Sequence, residues 1–140
     1  MPIEQDDVLL NKAAIIERCI RRIRQEYAAN PELDNYTHVD AMILNIERAC
    51  QATIDMAMHV VTQKRLGMPQ SSAEAFRLLS DAGVISTEME KHLRAMTGFR
   101  NIAVHQYQRI NTDILAHIAI QGWQDMVEFC SALGLRIDAN

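Results

Sequence analysis

At 140 residues the chain has the size of one domain, spanning 1–140, and enough length to bury a core of its own. Hydrophobic residues make up 49% and charged residues 23%, an ordinary globular balance, and 5 Gly with 3 Pro leave little room for a loop-rich β fold. A formal net charge of −4 argues against a general nucleic-acid coat protein, although net charge leaves a local basic groove open.

From Val8 to roughly Tyr27, apolar Leu9, Ile16, Ile20 and Ile23 recur at three-, four- and seven-residue spacing, which predicts an amphipathic helix. The same helix carries Arg18, Arg21, Arg22 and Arg24. Such a cluster reads either as a solvated face or as an electrostatic surface for RNA phosphates or an acidic partner. Asn30-Pro31 ends the helix. A second pattern runs from about Thr37 to about Arg65 through Ile43, Ile46, Cys50, Ile54, Ala57 and Val61. At roughly 42 Å it is the longest element and the expected spine. Within it, Asp55 sits among apolar neighbours and is expected to lie against the core, as a structural acceptor or a support for a site.

Ser71-Ser72-Ala73-Glu74 reads as a capping box for a short third helix, and Thr87-Glu88-Met89-Glu90 repeats the signal for a fourth. Gly98-Phe99 reads as a break. Asn111 or Thr112 then caps a last helix through Leu115, Ile118, Met126, Phe129 and Leu133, with Gly134 ending it and a short frayed tail to follow. No alternating strand pattern occurs. The fold class is all-α, an up-and-down helical bundle with a long second helix.

Several chemistries lack their residues. No Gly-rich phosphate loop and no GxSxG elbow occurs. Cys19, Cys50 and Cys130 are odd in number and far apart, which points to buried free thiols in a reducing cytoplasm rather than zinc or disulfides. Asp113 and His117 share a helix face but lack further convergent ligands, so no metal site and no cofactor is expected. No apolar run of about 18 residues could span a bilayer, so no membrane association is expected and the cytoplasm is the expected location.

What stands out is Arg100-Asn101-Ile102-Ala103-Val104-His105-Gln106-Tyr107. It combines a permanent cation, a group that exchanges protons near neutral pH, and a phenol. As residue types alone, the three read equally as helix capping and as a phosphodiester site. The wider segment Met96-Thr97-Gly98-Phe99-Arg100-Asn101 through His105-Gln106-Tyr107 resembles the signature of HEPN-superfamily ribonucleases, and more closely that of HepT-type toxins of toxin–antitoxin pairs. Their motif is an arginine, four to six residues, then His-x-Tyr, often with an asparagine directly after the arginine. The resemblance extends from about Val8 to Leu133, including the long second helix with Ile54-Asp55.

The resemblance implies a metal-independent endoribonuclease with RNA as substrate, a two-fold homodimer, and catalytic Arg100 and His105, with Asn101 and Asp55 as candidate supports. Tyr107 has two readings: catalytic support, by bonding the phosphate or orienting His105, or the AMP acceptor that the resemblance implies for a minimal nucleotidyltransferase antitoxin of the MntA type, with possible larger assemblies with that antitoxin. On an unbroken helix, Arg100 and His105 would lie about 140° apart around the axis. Either the segment departs from helix, or two chains complete one site; the resemblance favours the second. Two rivals remain: a non-catalytic helical subunit partnering a nucleotidyltransferase, and a structural dimer in which the motif only caps helices.

Overall fold

The computed structural model describes residues 3, 5–105 and 110–140, without the side chains of 103–105. Its helices are α1 (Asp7–Ala29), α2 (Tyr36–Gln63), α3 (Ser72–Asp81), α4 (Thr87–His105), α5 (Thr112–His117) and α6 (Trp123–Ala132), the last two joined by a π-helical turn, Ile118–Gly122. The fold is all-α, and among the described residues there is no strand.

α1 and α2 form an antiparallel pair stapled at both ends. Asp6 caps α1 by accepting from the Leu9 amide at 3.0 Å. The same carboxylate meets His59 Nε2 at 2.6 Å and accepts from Gln63 Nε2 at 2.9 Å, both near the end of α2. At the opposite end, buried Glu26 pairs with His38 and accepts from Arg22 Nε at 2.7 Å. The His38 hydrogen bond, helped by Arg22, holds the Glu26 carboxyl below the usual carboxylate range despite the opposing effect of burial.

Between these staples Leu9, Ala13, Ile16, Cys19, Ile20 and Ile23 turn one apolar stripe of α1 onto α2, as their spacing predicts. α2 spans 28 residues, about 42 Å at the helical rise, and packs against α1, α3 and α4. Its buried Ala49, Ala52 and Ala57 let those neighbours approach closely, while Met56 fills the space between. Phe76 of α3 meets Phe129 of α6 edge-to-face, centroids 6.0 Å apart, and ties the third helix to the last in one core.

Ser71 caps α3 by accepting from the Glu74 amide at 3.1 Å, as the capping box predicts. The cap of α4 is Ser86, which accepts from the Met89 amide at 3.0 Å, one residue before the expected Thr87. Asn111 caps α5 through the Asp113 amide. The π turn was not visible in the periodicity, because one extra residue in a turn leaves the apolar positions still three or four apart.

Three expectations need correction. Gly98-Phe99 does not break the chain: α4 runs through it to His105, because buried Leu93, Met96 and Phe99 hold one continuous face on the core. Asp55 is not a core acid. It is half-exposed, paired with Lys12 of α1 at 3.1 Å and accepting from Gln51 at 2.9 Å, since the α1–α2 seam offers a cation and the core does not. The final residues are not frayed. Leu135 and Ala139 are buried, Arg24 donates to the Ala139 carbonyl at 2.8 Å and Arg21 to that of Asp138 at 2.9 Å, and the Asp138 amide donates to Glu17 at 2.9 Å. Gly134, at φ +81°, makes the reversal that sends this tail back to α1.

Gly98 itself has a helical backbone and open space where a Cβ would stand, with nothing within 4 Å. Gly98→Ala is therefore expected to raise the unfolding free energy by about 0.5–1 kcal/mol, read as a higher denaturant midpoint at unchanged m-value.

Candidate active site

The site is organised by α4. Leu93, Met96 and Phe99 face the core, and Arg100, one turn past Met96 and about 40° from it around the axis, lies on the Leu93 side of that same face. Arg100 is half-buried, and its Nε is shielded from solvent with no hydrogen-bond partner among the described residues. What exposure the side chain has therefore lies beyond Nε or along its stem. Asn101, one position further round, is exposed, as is Ile102.

Arg100 lies against the α2 side of the core. Burial pushes the Cys50 thiol up to about 12, and the positive field of Arg100 is the chief influence holding that rise back, with Glu47 adding to it. Cys50 Sγ also sits 3.8 Å from the Met96 carbonyl, which places it beneath the α4 turn that precedes Arg100. Cys50 and Cys130, both buried and both raised to about 12, are protonated thiols with no nucleophilic role. An arginine with one nitrogen withdrawn from water has lost rotamer freedom, so less is lost when it forks onto an anion.

The backbone of α4 remains helical to His105. Five helical steps place His105 about 140° around the axis from Arg100 and about 7.5 Å along it. The His105 side chain and the whole of Tyr107 lie outside the described residues.

The remaining candidates are dispersed. Asp55 is held by Lys12 and Gln51 at the α1–α2 seam and has no described contact with Arg100. Arg24 is tied to the tail and stacks over the Trp123 ring, its guanidinium carbon 4.5 Å from the ring centroid. Arg21 is shared between Glu17 and Asp138, and Arg22 is paired with Glu26. Arg18 is exposed and has no ion pair among the described residues. Asp113 and His117 are exposed on α5, and no group of three or more His, Cys, Asp or Glu side chains suited to a metal occurs among the described residues. No described helix is long and apolar enough to cross a membrane.

Sequence reading missed Arg48, which faces the α1 arginines across the α1–α2 seam. Its signal was its place in an exposed row one helical turn from Leu44, on the face opposite Ile43, Ile46 and Cys50.

A helical bundle with an arginine–histidine motif on its fourth helix matches one family. The family model for HepT-like ribonucleases matches residues 13–133, and the chain belongs to that family. It is 40% identical over 129 residues to the mRNA nuclease HepT of Shewanella oneidensis, an alignment covering 91% of this chain and 97% of the relative. A tRNA nuclease HepT of Aphanizomenon flos-aquae is 30% identical over 86 residues, 59% of this chain and 58% of that one. Among solved structures, a tri-AMPylated Shewanella oneidensis HEPN toxin in complex with an MNT antitoxin superposes with a TM-score of 0.88 at 40% identity, covering 93% of this chain and 98% of the other. A toxin–antitoxin crystal structure with AMP-PNP gives a TM-score of 0.87 at 39% identity, with 92% and 98% covered.

Proposed function

We propose that this chain is a toxin endoribonuclease that cleaves RNA without a metal, acts in the cytoplasm as a two-fold homodimer, and is neutralised by a nucleotidyltransferase antitoxin. The observation that carries the reading is the unbroken helix through Arg100 and His105 in a chain of the HepT-like family. In one chain the two positions lie about 140° apart around the helix axis, so two copies of α4 meeting at a two-fold axis would supply what one phosphate needs.

RNA brings its own nucleophile, the 2′-hydroxyl beside each phosphate. In the proposed step one His105 takes the 2′-hydroxyl proton as the 2′-oxygen bonds to phosphorus. The bond from phosphorus to the 5′-oxygen breaks, and that oxygen takes a proton from water, so that Arg100 of one chain and His105 of the other make up one site. Arg100 forks onto the non-bridging oxygens where negative charge grows. The products are a 2′,3′-cyclic phosphate and a 5′-hydroxyl. End-group analysis of RNA cleaved in excess chelator is expected to find both; 3′-hydroxyl ends, or activity abolished by chelator, would refute the mechanism.

In the off state the Tyr107 hydroxyl attacks the α-phosphorus of ATP on the antitoxin, losing its proton and releasing pyrophosphate. Each AMP sets a negative phosphodiester and a nucleoside where the RNA phosphate would lie, so the block is electrostatic as well as steric. The tri-AMPylated state of the Shewanella toxin supports this reading.

A further inference from the structure

A second cationic feature lies on the α1–α2 seam, away from the α4 motif. There a groove of about 520 Å³ is lined by four arginines, Arg18, Arg21, Arg22 and Arg48, against one acid, Glu17. The acid is already engaged, by Arg21 at 3.5 Å and by the Asp138 amide at 2.9 Å, so it faces the tail side. Arg21 shares that engagement, and Arg22 is partly spent on Glu26. Arg18 on α1 and Arg48 on α2 are both exposed and have no ion pair among the described residues. They flank the same seam: each lowers the thiol pKa of Cys19, buried between the two helices, against the dominant effect of burial. In a chain whose net charge is −4, this is a local reversal of sign.

We propose that the α1–α2 groove is a second RNA-backbone site, in which Arg18 and Arg48 grip phosphates of the strand on either side, beyond the one cleaved at Arg100. The inference rests on the nuclease reading and adds where the strand is held. Arg18 and Arg22 stand one helical turn apart, about 6 Å along α1, which makes a strip of cations rather than a point. The amides of Gln25 and Asn45 add neutral polar groups suited to phosphate and ribose. The apolar content is low, with half-exposed Leu44 the only large apolar side chain among the described residues of the lining, and so these residues lack the buried apolar centre that a protein partner would need. Backbone contacts of this kind bind without reading sequence.

The test uses the full-length chain and a fluorescent single-stranded RNA. Binding is measured in a His105→Ala background across a salt series, and cleavage in the His105-intact chain. Arg18→Gln/Arg48→Gln is expected to weaken binding roughly tenfold at low salt and to flatten log K against log salt by about 1.4, at about 0.7 per lost contact. In cleavage the loss falls on KM. Arg18→Lys/Arg48→Lys keeps the charge and is expected to keep the slope, as is Arg77→Gln/Arg136→Gln, which removes two arginines elsewhere. An unchanged salt slope and KM in the Arg18→Gln/Arg48→Gln chain, while the parent chain cleaves RNA, would overturn the groove alone. Unchanged RNA binding with lost antitoxin association would assign the groove to an acidic protein face and also overturn it. A parent chain that neither binds nor cleaves the RNA would fail the nuclease reading itself.

Discussion

Mixing two separately inactive chains, Arg100→Ala and His105→Ala, is expected to restore cleavage. Each substitution alone should lower the rate by about 10²- to 10⁴-fold, because one removes the cation on the phosphorane-like transition state and the other the proton transfer. Arg100→Ala should not unfold the chain, since Arg100 has no described partner whose loss would leave a buried group unsatisfied. If each site draws its arginine from one chain and its histidine from the other, a mixed dimer keeps one intact site. Random reassociation would then return about a quarter of the wild-type rate. The reason lies in the helix: α4 is continuous from Arg100 to His105, and five helical steps separate those two backbone positions by about 140° around the axis. No recovery, in mixtures shown to contain mixed dimers, would place both groups of each site on one chain.

Tyr107→Phe is the second large effect. The phenol is the only atom by which this side chain can accept AMP, so the variant should show no AMP mass increment at position 107 after co-expression with the antitoxin. Cells expressing both should arrest as though the antitoxin were absent. Cleavage itself should fall only modestly, because the ring remains and His105 and Arg100 do the proton and charge work. A variant that is still neutralised and still modified would move the switch to another hydroxyl. One that is wholly inactive would make Tyr107 part of the cleavage chemistry instead.

Much of the frame was legible from spacing. The stripes of α1 and α2, the Ser71 capping box and the Asn111 cap all rest on local rules, in which residues three or four apart share a helix face or a cap bonds the next turn. The family resemblance reached the motif for the same reason, since Arg100, His105 and Tyr107 lie within eight residues. Gly98 misled because glycine is a weak helix former, yet flanking Met96 and Phe99 bury enough surface to carry the helix through it.

The amino-acid sequence by itself determined the helix class, the order of elements and the residues of the candidate chemistry, because each is written in contacts within one or two turns. Only the tertiary structure decided which charges remain available for a ligand. Asp55 is taken by Lys12, Arg24 by the tail and Trp123, and Arg21 by Glu17 and Asp138, all through neighbours distant in the chain. Packing α1 against α2 also brought Arg48 beside Arg18, thirty positions away in the sequence, because a shared apolar stripe fixes what its flanking residues face.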